Sequence, residues 1–202
     1  MVKLDTNRLT IRDHIEEDIA SMHVLLSDEK AMHYLQDIKT NNMDESKQNL
    51  YEAIKEAQLE NRTKYFFAII EKETNEYVGE IGFTVIINSL EGKVVNLGYF
   101  ILPRYWGKGI VTEAAEAVIE YAFCETNTIK IETGCIKENI GSERVMQKVG
   151  MVKEAELKKH VLLYSCLQDR VEYGLLKEEW KQKLNLFIKR DYQSFNKEAY
   201  LD

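Results

Sequence analysis

Apolar and polar residues alternate strictly over 8–12, Arg-Leu-Thr-Ile-Arg, and this period of two predicts an N-terminal strand. The period then lengthens. Ile15, Ile19, Met22 and Leu26 recur at helical spacing and predict a helix over 15–26. A second short helix is expected over 28–35, then a polar loop over 39–43. Asp44 stands where a helix N-cap belongs, ahead of a long helix to about Glu60 that buries Leu50, Ala53, Ile54 and Ala57. Residues 65–71 and 77–88 read as two strands joined by the polar turn 73–76, which makes a hairpin. Gly79 and Gly82 interrupt the second strand, where glycine marks a bulge or a close backbone approach. A turn at 89–93 and a strand over 94–102 complete three antiparallel strands.

Beyond Pro103 the pattern changes. A loop with Gly107 and Gly109 opens a helix that runs from near Lys108 to Phe123. Ala114, Ala115, Val118, Ile119 and Ala122 form its apolar face, and Glu113, Glu116 and Glu120 its polar one. Residues 128–136 read as a strand parallel to its predecessor, because a helix separates the two. A helix over 139–149 is closed by Gly150. Two strands, 151–162 and 163–176, follow, with a turn expected at Gln168-Asp169. An amphipathic helix over 178–190 carries the apolar stripe Leu184, Phe187 and Ile188, which either packs on the sheet or joins a homodimer. The order predicts an α+β fold: one domain over 1–176, with a mixed, mostly antiparallel sheet of about seven strands flanked by helices, and a C-terminal helix and polar tail over 177–202.

The strand–glycine loop–helix sequence around 96–114 suits an anion. The first helical turn has free N–H groups and a positive dipole end, and glycine lets the backbone come close. Arg104 and Lys108 add cations, so the loop reads as a pyrophosphate cradle. Composition narrows the rest. A formal charge of −7 on 202 residues argues against a general nucleic-acid binder; it leaves room for a cationic or amine substrate and equally fits ordinary solubility. Cys124, Cys135 and Cys166 are odd in number and lack CxxC spacing, which suits reduced thiols in the cytoplasm. No apolar run is long enough to span a membrane, and the N-terminus lacks the apolar core of a signal peptide. His14, His23, His33 and His160 lack metal-ligand spacing, so no metal is expected.

Two motifs together carry a family resemblance. Arg104-Tyr-Trp-Gly107-Lys-Gly109 resembles the cofactor signature Arg/Gln-x-x-Gly-x-Gly/Ala of the GNAT superfamily of N-acetyltransferases. Glu138-Asn139-Ile-Gly-Ser142-Glu-Arg144-Val145-Met146-Gln-Lys148-Val-Gly150-Met151 is similar to a second signature of its ribosomal-protein N-terminal acetyltransferase branch. Tyr105-Trp106 and the opening 6–12 fit that branch too. The resemblance covers about residues 5–176. It implies a single GNAT-like domain that moves an acetyl group from acetyl-CoA to a primary amine, of a small molecule or a protein N-terminus, by direct transfer in a ternary complex. It also implies that Ile101, Leu102, Arg104, Trp106, Gly107, Lys108, Gly109, Ile110, Asn139 and Ser142 hold coenzyme A.

The catalytic groups are less defined. Ser142 is a candidate proton or hydrogen-bond donor to the leaving thiolate. Many relatives carry Glu where this chain has Asn96, and an amide is no base. Glu154 matches a Glu common in the branch and is the candidate base. Glu80, on the neighbouring strand, and a water chain are the other options. The missing carboxylate keeps open a non-catalytic acyl-CoA-binding module. A P-loop nucleotide binder is disfavoured, since GxxxxGK[ST] is absent.

Overall fold

In the computed structural model, which describes residues 1–184, one eight-stranded sheet runs in the order β1-β2-β3-β4-β5-β6-β8-β7. Its strands are β1 (Lys3–Asp5), β2 (Leu9–Asp13), β3 (Lys64–Glu71), β4 (Tyr77–Asn88), β5 (Lys93–Ile101), β6 (Thr128–Ile136), β7 (Val152–Leu163) and β8 (Cys166–Leu176). The helices are α1 (Ile19–Ser27), α2 (Met43–Ala57), α3 (Ile110–Glu125) and α4 (Ile140–Lys148). The architecture is the expected α+β arrangement. The additional strand is β1, three residues that pair with β2 and are too short to show a period.

Local chemistry explains where other expectations shift. Residues 28–35 form successive turns, not a helix, and the Asp28 carboxylate accepts the N–H groups of Lys30 and Ala31. Asn42, not Asp44, caps α2, its side-chain oxygen accepting the Glu45 N–H at 3.0 Å. The last hairpin turns at Tyr164 and Ser165, both left-handed with φ of 46° and 64°, as a tight two-residue turn requires. Gln168 and Asp169 lie inside β8 instead. Residues 177–184 are helical, and Trp180 packs on Phe123 of α3 with ring centroids 5.4 Å apart. Phe187 and Ile188 lie outside the described residues.

The core forms because α3 presents a continuous apolar face. Ala114, Ala115, Val118, Ile119 and Ala122 are buried, and Tyr121 meets the rings of Tyr65, Phe67 and Phe83 on β3 and β4. Small alanines let α3 come close to the sheet, while the aromatic side chains fill the remaining depth.

One pair of strands is different. Every adjacent pair is antiparallel except β5–β6, which is parallel and pairs over four positions, from Lys93↔Thr128 to Asn96↔Glu132. β5 then continues to Ile101 paired only with β4, and β6 continues to Ile136 paired only with β8. The sheet is therefore split by a wedge that opens after Asn96.

Candidate active site

The wedge has a polar edge. The Leu97 carbonyl accepts the Thr133 hydroxyl at 2.7 Å, and the Ile101 carbonyl accepts the Trp106 indole N–H at 3.1 Å. Both carbonyls therefore point to the β6 side. Strand alternation puts the N–H and C=O of Tyr99 on that side too. The N–H of Leu102 points the other way, donating to Val78 O at 3.0 Å. The Tyr99 side chain spans the wedge to α4: its hydroxyl lies 3.0 Å from Ser142 Oγ and 3.1 Å from the Ser142 carbonyl. Burial raises the Tyr99 phenol well above its ordinary pKa, so it stays protonated. Asn139 caps α4 by accepting the Ser142 N–H at 3.2 Å. Below it, burial pushes the Cys135 thiol up to about 11.

At the wide end of the wedge lies the glycine loop. Gly107 and Gly109 both adopt left-handed backbone, φ 74° and 75°. A Cβ on Gly107 would project into open space, with no atom within 4 Å. Gly109 is the N-cap of α3, so the N–H groups of Ile110 and its successors face the loop without helical partners. An anion fits here, against N–H donors and a positive helix end.

The two cations expected to reach that anion behave differently. Arg104 lies over the Tyr105 ring at 5.0 Å and 3.8 Å from Glu76, so it braces the loop. Lys108 Nζ sits 5.0 Å from the same ring. A third cation carries no obvious motif signal. Arg8 Nη1 donates to the Lys108 carbonyl at 2.9 Å, and its Nε to Glu113 Oε2 at 2.6 Å. Glu113 Oε1 also accepts the Thr6 hydroxyl and the Arg8 N–H. This latch, between partners more than a hundred residues apart, ties β2 to the loop and leaves the Arg8 guanidinium half exposed beside it.

On the other face of β4 and β5 is a cavity of about 210 Å³. Glu80 pairs with Phe100, Gly82 with Gly98, and Thr84 with Asn96, so these six residues share one face. Gly82 and Gly98 leave the floor without side chains. Phe66 and the turns carrying Leu35 and Ile38 supply apolar walls. A register shift at Ile69/Ile70 places Tyr77 on the same face as Glu80, and the Tyr77 hydroxyl donates to Glu80 Oε1 at 2.6 Å. Burial raises the Glu80 carboxyl above its ordinary pKa, against the lowering influences of His14 and Tyr77.

These elements, in this order, meet known proteins. Residues 8–152 match the family profile described as an acetyltransferase (GNAT) domain.

The chain belongs to the GNAT acetyltransferase family.

It is an N-acetyltransferase by that membership. It is 30% identical over 177 residues to the Bacillus subtilis (strain 168) protein named uncharacterized N-acetyltransferase YnaD, covering 88% of this chain and 98% of that one. A ribosomal-protein relative, the Escherichia coli (strain K12) [ribosomal protein uS5]-alanine N-acetyltransferase, is 24% identical over 57% of this chain and 59% of its own. Among solved structures, a GNAT-family acetyltransferase from Bacillus anthracis superposes with a TM-score of 0.75 at 28% identity, covering 88% and 100% of the two chains. The fold also matches spermidine N-acetyltransferase from Vibrio cholerae in complex with CoA and spermine, with a TM-score of 0.74 at 19% identity and coverage of 87% and 99%.

Of the residues expected to hold coenzyme A in this GNAT chain, Ile101 lies at the end of β5, Trp106, Gly107, Lys108 and Gly109 form the loop, Ile110 opens α3, and Asn139 and Ser142 lie at the start of α4, where Tyr99 reaches Ser142. The Leu102 N–H turns instead to Val78, and Arg104 to Glu76. Glu154 stands apart. It lies on the edge strand β7, pairs with Lys130 at 2.8 Å, and does not line the cavity. Arg8, Tyr77 and His14 carried no role in the sequence reading. Only the spacing of Arg8 and Glu113 across a β–α contact could have shown the latch, and sequence does not reveal that contact. Among the described residues, no cluster of three His, Cys, Asp or Glu side chains is grouped to hold a metal ion.

Proposed function

We propose that this chain transfers the acetyl group of acetyl-CoA directly to a primary amine bound in the Glu80 cavity. The observation that carries this reading is shared geometry. The cavity and the wedge border the same β5 segment, 96–101, one on its face and the other on its free edge. Two substrates held there meet across a single strand, and such positioning alone supplies several kcal/mol of the barrier reduction.

In this reading the loop N–H groups and Arg8 hold the pyrophosphate, and the free edge of β5 runs beside the pantetheine arm. The thioester supplies an activated acyl group. The chain supplies the rest. The Tyr99 and Ile101 N–H groups face the side where negative charge develops on the acyl oxygen. The Tyr99 and Ser142 hydroxyls stand as donors to the leaving sulfur. Glu80, a carboxylate made more basic by burial, accepts the proton of the acceptor ammonium, in place of Asn96 and of Glu154. The cavity favours a small amine, or the first residue of a protein N-terminus, with an apolar body against Phe66 and Phe100. The free cysteines suit a reducing cytoplasm.

The test is thiol release from acetyl-CoA across a panel of small amines and peptides with free N-termini. Turnover with at least one acceptor is expected. Tight coenzyme A binding without turnover on any acceptor would leave an acyl-CoA-binding module in its place.

A further inference from the structure

His14 is fully buried, and among the described residues neither of its ring nitrogens makes a hydrogen bond. Leaving both unmet in a dry interior is costly, so the ring invites a role beyond packing. Its two nitrogens point at two carboxylates. Nδ1 lies 3.4 Å from Asp18 Oδ2, and Nε2 lies 3.9 Å from Glu80 Oε2. The Tyr77 ring is the other aromatic neighbour, with its centroid 6.2 Å away.

Charge counting shows what this group is for. Arg12 from β2 is committed to Asp18 by two hydrogen bonds, 2.7 and 2.8 Å, and Asp18 also accepts the Ile15 N–H. That pair is neutral together. Of the groups facing the centre, Tyr77 stays a neutral donor because burial raises its phenol far above the ordinary value. Glu80 is left with no permanent cation. Among the described residues, the basic group facing its free oxygen is the His14 ring, with Nε2 3.9 Å away. Glu80 and His14 therefore form a buried pair able to share one added proton, which the ring takes at Nε2.

The ends of the array open in different places. Glu80 lines the acceptor cavity. Asp18, Arg12 and Tyr77 line a separate recess of about 610 Å³ at the other side of the β4 bulge, with Thr10, Glu17 and Lys72 around it. His14 sits in the wall between the two.

We propose that Glu80, His14 and Asp18 form a proton relay that moves the acceptor's ammonium proton from the cavity to the buried His14 ring. The proposal rests on the acetyl-transfer reading. Glu80 Oε takes one proton from R–NH₃⁺, which leaves the free amine with its lone pair. That proton passes from Glu80 to His14 Nε2. The imidazolium keeps its Nδ1–H on Asp18 and holds the added proton until product leaves, when the proton returns through Glu80 to solvent in the cavity and restores the neutral ring and the Glu80 carboxylate. Asp18 holds the ring in the tautomer that keeps Nε2 facing Glu80 and stabilises the imidazolium in transit, while Arg12 keeps Asp18 ionised. Glu80 is the group that touches substrate. His14 and Asp18 act through it.

Two measurements test this on the full chain. The first needs no variant: the Glu80 carboxyl ¹³C and His14 ring ¹⁵N resonances are followed with pH. Shared titration midpoints are expected, because each group's charge depends on the other. A His14 ring that stays silent while Glu80 titrates alone would overturn the relay. The second is the pH profile of kcat/KM in His14→Gln and Asp18→Asn. Loss of the ring's charge is expected to move the acidic limb up by about one pH unit, and to lower kcat at pH 7 roughly 10-fold with the acceptor KM little changed. Folded variants with an unmoved limb would also overturn it. If the wild-type chain acetylates no amine, the acetyl-transfer reading fails by itself, while the coupled titration still decides whether the three groups share a proton.

Discussion

Gly98 on β5 stands directly opposite Gly82 on β4, and together they leave the floor of the Glu80 cavity bare. The two glycines are not equivalent. A Cβ at Gly82 would collide with the Tyr65 carbonyl, whereas one at Gly98 meets nothing within 4 Å. Gly98→Leu is therefore expected to fold, with a melting temperature within a few degrees of wild type. Its side chain fills the cavity, so kcat/KM for the acceptor should fall at least about 10-fold through a raised KM, with coenzyme A affinity unchanged. Steady-state kinetics alongside calorimetry separate the two effects.

The left-handed Gly107 faces open space where an anion is expected. Gly107→Asp places a carboxylate there at a backbone cost of about 1 kcal/mol. Coenzyme A binding should weaken at least about 10-fold, and dephosphorylated pantetheine, which lacks the pyrophosphate, should bind the variant as it binds wild type. Equal weakening of both ligands would contradict the cradle.

Arg8→Ala removes the cation that bridges Glu113 to the Lys108 carbonyl. The pair is half exposed, so the stability loss is expected to be about 1 kcal/mol or less. The larger effect should be on the cofactor: coenzyme A affinity falls several-fold, and its dependence on salt becomes shallower. Isothermal titration at two ionic strengths measures both.

Burial raises the Glu80 carboxyl, which sets two signs. For catalysis, kcat/KM should rise with pH through a midpoint above the ordinary glutamate value. Glu80→Gln should remove this limb and lower the rate by about 100-fold. For stability, a raised folded-state value means the neutral form suits the fold. That contribution is fully present below the unfolded value and is lost as pH rises through the folded one. Glu80→Gln, always neutral, should match wild type at pH 4 and melt higher at pH 8. Thermal melts at the two pH values check this.

Much of the frame could be read from periodicity. The strand expected over 8–12 forms at Leu9–Asp13, because its alternate residues are buried. The glycine loop was legible because glycine at left-handed positions leaves a mark in sequence. Residues 28–38 were not, since their turns form through Asp28 and backbone contacts that also suit a helix. The acceptor side was harder still. Glu80 was visible only as a carboxylate on a strand. Its burial depends on Tyr77 being turned to the same face by the bulge, and on His14 arriving from more than sixty residues earlier. Glu154 looked equally acidic in sequence but lies in an ion pair with Lys130.

The four-rung contact between β5 and β6 has one more consequence. A sheet edge in the middle of a sheet is a set of unclaimed backbone partners, the same template that draws strands into aggregates when it lies outside. The Tyr99–Ser142 strut crosses the opening. A thin chain with amides of its own can still enter and act as a temporary ninth strand. Slowed amide hydrogen exchange at Tyr99 and Ile101 would then report occupancy directly, rung by rung.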